Sequence, residues 1–342
     1  MKFTDLKTQE DISKIEGATG VSVHYFFSAL DDCFHKTSYI QFQKFFKRNA
    51  EYRKWMIFSD YVLGDENKSN DVLVFSIMPY RYDFDEFGEY IKIVSKKDFK
   101  KSKSVRNEFI EMIKTQEIFN MVFVLNKDRK LHSSDEKQYL IAKYEFLLKS
   151  ITNFMKEEPD NPNHPLFASM IDSVLTTLKR KSVNISLLRN IEIVSTIVPY
   201  IASQIYANSF NSEIIGWFSD RDKLLTYKKS DFRKDSGYLI HQLANANFTA
   251  FVDQIYPIIL TKPKFVLGVP EESGTMFYDS YNRIPDLIAG VMADYNYFEN
   301  QSSLKSISTI ENILVDEKTV IYKLNFDENT YSSSVLVFSR TE

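Results

Sequence analysis

The sequence predicts an α/β fold, a mixed central sheet flanked by helices. Three observations carry the expectation. Hydrophobic residues make up 44% of the 342, enough for a large core and too many for a disordered chain. Two strand-like runs lie on either side of a polar turn, the pattern of a hairpin. Beyond them, further strand-like runs alternate with stretches whose apolar residues recur every three and four positions, the pattern of a sheet with helical crossovers. The length suits one elaborated domain or two smaller ones.

In order, residues 1–53 read as a helical or irregular N-terminal elaboration. Run 55–63 (WMIFSDYVL) is a strand interrupted at Ser59-Asp60, and DENKSN turns the chain into a second strand, 71–78. A helix at 104–115 precedes the strand 118–125. The next helix, 135–156, opens with HSSDEKQ, which offers a cap and an acidic first turn. EEPDNPNHP (157–165) stops it, since three prolines cannot continue a helix. An insertion over 157–210 then carries helices at 166–181 and 188–208, the latter with a bend expected at Pro199. A fourth strand, 213–219, ends at Asp220. Helix 235–256, strand 265–269 and helix 284–298 follow, with Pro285 suited to a first helical turn. Runs 320–325 and 334–338 make a second hairpin. The α/β domain proper is therefore expected over 54–300, with a β extension at 301–342.

Composition removes several functions. With 43 basic and 46 acidic side chains the net charge is −3, which argues against broad coating of nucleic acid and leaves room for a local basic track. One cysteine, Cys33, excludes an internal disulfide framework and a Cys-rich zinc site. The polar start, MKFTDLKTQEDISKIEG, has no signal pattern, and no uninterrupted apolar run approaches 18 residues. A cytoplasmic location without membrane contact is the expectation. Nine glycines stand against roughly two dozen at average usage. No G-x-G-x-x-G, G-x-x-x-x-G-K-[ST], G-x-S-x-G or H-E-x-x-H occurs, so nucleotide-loop, serine-hydrolase and zincin chemistry lack their residues.

Three aspartates stand at abrupt polar breaks in apolar surroundings: Asp60 (IFSDYVL), Asp220 (IIGWFSDRDK) and Asp286 (RIPDLIAGVMADY). A carboxylate beside a core is costly unless paired, hydrogen-bonded or bound to a cation. Each alone has an ordinary structural reading, as a bulge, a strand end or a helix cap. Together they offer hard oxygen ligands for Mg²⁺ or Mn²⁺, with Asp222 as an added ligand. Gly64, Gly216 and Gly290 each lie four residues from one of the three and suggest close backbone approach there.

In that order the acids resemble the RNase H-like fold, which binds metal through aspartates on its first strand, at the end of its fourth and on its last helix. More narrowly, the chain resembles an uncharacterised bacterial RNase H-like family that opens with an Asp-Glu-Ser-Gly strand and closes with an ADLIAG-like helix. Ile284-Pro285-Asp286-Leu287-Ile288-Ala289-Gly290 matches the closing motif, and Ser219-Asp220-Arg221-Asp222 fits the middle one. At Phe58-Ser59-Asp60-Tyr61-Val62 the Asp is kept and the Glu, Ser and Gly are not. The resemblance implies central first and fourth strands with the last helix across them. It also implies a fourth carboxylate on the helix after the first strands, for which Glu136 and Glu145 are candidates. Asp294, two turns beyond Asp286, is expected to be exposed.

Three basic clusters occur: Lys96–Arg106, Lys179–Lys181, and the group after Asp220. The last, with Arg221, Lys223, Lys228, Lys229 and Arg233, is the expected phosphate contact, with Tyr227 and Phe232 available for stacking. The histidines are scattered, and a Cys33/His35 pair is a weak nucleophile signal. The expected function is a metal-dependent nuclease or phosphodiesterase on DNA or RNA, an effector of bacterial defence. The alternative is an inactive scaffold or subunit of a larger complex, with protein partners met through 1–53 or 301–342.

Overall fold

The two apolar runs around DENKSN pair as the expected hairpin. In the computed structural model, which describes all residues except 1–2, 4–5, 16–17, 181, 210, 229–237, 256–262, 272–273, 298, 300, 328–329 and 340–342, they form β1 (Lys54–Val62) and β2 (Asp71–Pro79). Before them come α1 (Gln9–Ser13), α2 (Tyr25–Thr37) and α3 (Tyr39–Arg48). After them, α4 (Phe84–Val94), a 3₁₀ turn (Phe99–Lys101) and α5 (Asn107–Thr115) lead to β3 (Phe119–Leu125). Three helices, α6 (Glu136–Glu157), α7 (Asn163–Leu178) and α8 (Ile185–Asn208), precede β4 (Ile214–Ser219). Then come α9 (Leu239–Ile255), β5 (Lys264–Gly268), α10 (Arg283–Asp294), the single turn α11 (Ile307–Thr309), a π turn (Ile310–Leu314), β6 (Thr319–Phe326) and β7 (Tyr331–Leu336).

All the strands join one seven-stranded mixed sheet in the order β5-β4-β1-β2-β3-β6-β7. β1 runs antiparallel to β2 and parallel to β4, so the first and fourth strands are central neighbours. β6 adds to β3 in parallel, so the C-terminal hairpin extends the main sheet. Side chains alternate across it. Trp55 and Ile57 of β1 enter one apolar layer with α2, α3 and α6 to α9, while Met56 and Phe58 enter the other with α4, α5 and α10. The aromatic excess is core filling: Phe34, Phe42 and Phe46 are buried, with ring centroids 5.3 Å and 4.7 Å apart along that series.

The structure departs from the sequence expectation at several elements. α4 was not expected. α7 begins at Asn163, inside the expected loop, because Pro165 sits in a first turn, where its missing N–H costs nothing. α10 ends at Asp294, short of 298. Asp135 caps α6 as read, its Oδ1 accepting the Gln138 N–H at 3.0 Å. α8 continues through Pro199. Among the described residues it alone has the length and apolar character to cross a membrane, and 72% of its most apolar window is buried inside the protein.

Candidate functional site

The strand pairing brings Asp60 and Asp220 together. β1 and β4 are parallel with Ser59 opposite Ser219, and the Asp220 N–H donates to the Ser59 carbonyl at 3.4 Å. Each aspartate follows next in its segment, so both stand at the same end of neighbouring strands. Alternation puts Asp60 on the side of Met56 and Phe58, the side covered by α10. α10 packs across β1 and β2, and its first turn carries Asp286. Three carboxylates from distant parts of the chain therefore meet at one end of one sheet face.

Burial and neighbouring carboxylates raise all three. Burial, then the Asp286 charge, then those of Asp220 and Asp222, hold the Asp60 carboxyl well above the ordinary aspartate range. Asp286 is pushed up to about 6, first by burial and then by Asp98 and Asp220, against the opposing hydrogen bond from Phe99. Asp220, the most exposed of the three, is raised first by the desolvation of its carboxyl and then by Asp279 and Asp98. Among the described residues no lysine or arginine forms an ion pair with any of them. The donor chemistry suits a hard divalent cation, since the set is all carboxylate and uncompensated. The spacing is wider than a closed site: among the described residues no three His, Cys, Asp or Glu side chains are grouped closely enough to hold one ion.

Glycine placement explains part of the construction. A Cβ on Gly290, one turn after Asp286, would come within 2.2 Å of the Phe99 ring. With Gly290 bare, Phe99 seats on α10 and its N–H reaches the Asp286 Oδ2 at 2.7 Å. Lys305 closes over that ring at 3.9 Å and donates to the Phe99 carbonyl. A Cβ on Gly216 would come within 2.5 Å of the Phe218 ring. Gly64 instead supplies a positive φ of 68°. Gly290→Ala is therefore expected to destabilise by about 1–3 kcal/mol through overpacking, although helix propensity alone favours alanine by about 1 kcal/mol. Urea denaturation measures this, and a smaller loss in Gly290→Ala/Phe99→Leu than in the single variant would assign it to the ring contact.

The remaining candidates scatter. After Ser219 the chain turns instead of staying extended, and the Asp222 Oδ1 accepts the Leu224 N–H at 2.8 Å, so Asp222 contributes charge from a turn. Arg221 straps a neighbouring loop by donating to the Glu271 and Gly274 carbonyls. Lys223 is exposed. Lys228 donates to Ser173 of α7, on the opposite side of the sheet from α10. Lys229, Arg233 and Phe232 lie outside the described residues. Glu136 is held by Arg189 and by the Leu131 N–H, and Glu145 pairs with Lys179. Asp294 is not exposed as expected but pairs with Lys68 at 2.5 Å. His35 turns to Asp31 and Cys33 lies next to Thr37, so the two do not pair.

The basic feature that does adjoin the acids is the first cluster. A pocket of about 350 Å³ lies between residues 94–109 and the start of α10, and Asp286 lines it together with Lys96, Lys97, Lys101, Lys103, Arg106 and Arg283. The cluster was visible in the sequence; its adjacency to Asp286 was not, since it depends on Phe99 docking at Gly290. Comparison with protein-family models, curated proteins and solved structures finds no match to this chain.

Proposed function

We propose that the chain is a metal-dependent phosphodiesterase of RNase H-like type acting on DNA or RNA. One observation carries the reading: Asp60, Asp220 and Asp286 stand at one end of one sheet face, each raised in pKa by burial and by neighbouring acids, without a paired lysine or arginine among the described residues. The central pairing of β1 with β4 and the placement of α10 across the sheet support the RNase H-like part. Asp60, Asp220 and Asp286 would hold Mg²⁺ or Mn²⁺ on drawing closer together than they stand in this structure. When bound, such an ion supplies positive charge and Lewis acidity to a phosphodiester. The chain's own part is orientation and charge. The Phe99 N–H fixes one Asp286 oxygen, and the strand pairing fixes Asp220 beside Asp60. Lys223, exposed beside Asp220, is placed to meet a phosphate.

The test is cleavage of single- and double-stranded DNA and RNA with Mg²⁺ or Mn²⁺. Asp60→Ala and Asp220→Ala are each expected to lower the rate by about 100-fold or more, the scale of losing one preorganised electrostatic group. Purified protein that cuts none of the four substrates, or variants that cut like the parent, would refute the reading.

A second reading, a non-catalytic scaffold of the same architecture, is favoured by the spacing of the acids and by Tyr61-Val62-Leu63 standing where the resembled motif has Glu-Ser-Gly. Co-purification with a partner at fixed stoichiometry, without cleavage, would select it.

A further inference from the structure

We infer that the pocket between residues 94–109 and α10 seats the phosphate backbone of a single-stranded nucleic acid and delivers it to the acidic cluster. The inference rests on the phosphodiesterase reading and can be measured apart from it. The chain as a whole is acidic, at −3, yet six cations line this one concavity: Lys96, Lys97, Lys101, Lys103, Arg106 and Arg283. Asp98 answers only two of them, Lys101 at 2.7 Å and Arg283 at 3.7 Å. Lys96, Lys97 and Lys103 are exposed and have no acidic partner among the described residues. The Nη1 of Arg283 is buried and its contact with Asp98 Oδ1, at 3.7 Å, is electrostatic and not a hydrogen bond. Phosphate oxygens are the acceptors a guanidinium fork fits best, and two guanidinium groups, Arg106 and Arg283, line the pocket beside the lysines. Asp286 lines the same pocket, so a phosphate held there lies beside one member of the acidic cluster.

A backbone fits better than a free phosphate for a further reason. Phe277 is 65% exposed although its ring lies 5.5 Å from that of Phe218, two residues before Asp220. It offers a stacking face on the Asp220 side of the cluster, which a ligand with bases can use and a free phosphate cannot.

The experiment is fluorescence anisotropy with labelled single-stranded DNA and RNA of about 12 nucleotides, in excess chelator so that nothing is cut. Lys96→Glu/Lys97→Glu/Lys103→Glu is expected to weaken binding by about 10- to 100-fold and to flatten the dependence of log K on log salt by about 2, the share of three single-strand phosphate contacts. Phe277→Ala is expected to weaken binding about 5- to 10-fold without altering that slope. A reversal of equal charge on remote exposed lysines, Lys47→Glu/Lys149→Glu/Lys156→Glu, is expected to leave affinity within about 3-fold, and thermal unfolding verifies that every variant folds. The inference is overturned if the wild type does not bind the strand. It is equally overturned if the two triple variants lose affinity alike, or if inorganic phosphate at constant ionic strength displaces the strand at comparable concentration. Binding through the pocket without cleavage under any cation would sink the phosphodiesterase reading and keep this one. Cleavage that ignores the pocket reversal would do the opposite.

Discussion

Glu192→Ala is expected to remove about 3–5 kcal/mol of folding stability, the scale of breaking a buried ion pair from one side. Glu192 lies wholly inside the layer formed by α6 and α8. Its Oε2 meets His24 Nε2 at 2.8 Å and Lys143 Nζ at 3.4 Å, and Lys143 also donates to the Ser22 carbonyl at 2.9 Å. The His24 Nδ1 meets the Tyr139 hydroxyl at 2.9 Å. Without Glu192 the Lys143 ammonium stays buried with one carbonyl, and truncation leaves a cavity as well. Lys143→Met/Glu192→Leu removes both charges and fills the volume, so it is expected to lose far less than the sum of its single variants. Acid acts on the same network. Lys143 and the hydrogen bond from His24 overcome burial and hold Glu192 at about 2, against 4.5 when unfolded. That stability is present above 4.5 and is lost as pH falls toward 2. Burial, then the Lys143 charge, lowers His24 from 6.5 to about 4, so the unfolded state takes up the proton first and stability also falls from 6.5 toward 4. Urea midpoints at pH 7, pH 5 and pH 3 separate the contributions: the first step reads His24, and the second adds Glu192. A Glu192→Ala loss below about 1 kcal/mol at pH 7 would show the pair to be dispensable.

How legible the molecule was depends on what each residue had to announce. The strands were legible because apolar β-rich runs are bounded by turn residues; the first hairpin followed from their order, while the pairing of the first strand with the fourth was an expectation of the resemblance alone. The acids were legible because Asp60, Asp220 and Asp286 each break an apolar run, and a buried charge needs a reason. α4 escaped although Phe84, Phe87, Ile91 and Val94 carry helical spacing, because Gly88 sits in its middle; that glycine lies under Tyr281, where a Cβ would come within 3.2 Å of the ring. The relative worth of the basic clusters was not legible. Nearness in sequence favoured the lysines after Asp220, yet Lys228 belongs to α7, while Lys96–Arg106, some 180 positions before Asp286, lines a pocket with it. Only the long-range seating of Phe99 on Gly290 decides that, and no local pattern encodes it.

Asp286→Asn is expected to make the protein more stable without a divalent cation and less stable with one. The folded state raises this carboxyl from 3.8 to about 6. A raised acid is bound to its proton more tightly when folded, so stability is greatest at low pH, declines as pH rises from 3.8 to about 6 and stays reduced above that. That difference corresponds to about 3 kcal/mol. Solvent screening and the lost attraction of a first-turn carboxylate to the helix N-terminus reduce the net gain at pH 8 to about 1–2 kcal/mol. Asparagine keeps an acceptor for the Phe99 N–H, so the α10 contact survives. At pH 3.5, where the parent carboxyl is protonated, the two proteins are expected to unfold together. A cation reverses the order. Mg²⁺ or Mn²⁺ at about 100 times its dissociation constant would stabilise the parent by about 2.7 kcal/mol, and the variant, lacking one ligand charge, far less. Chemical denaturation at pH 8, with and without the cation, reads both signs in one experiment. A variant that is less stable than the parent in chelator and gains as much from the cation would make Asp286 a structural cap. The crossing of the two curves is what separates a carboxylate kept for its charge from one kept for its hydrogen bond. The first strains the empty fold and is relieved by the ion, and the second does neither.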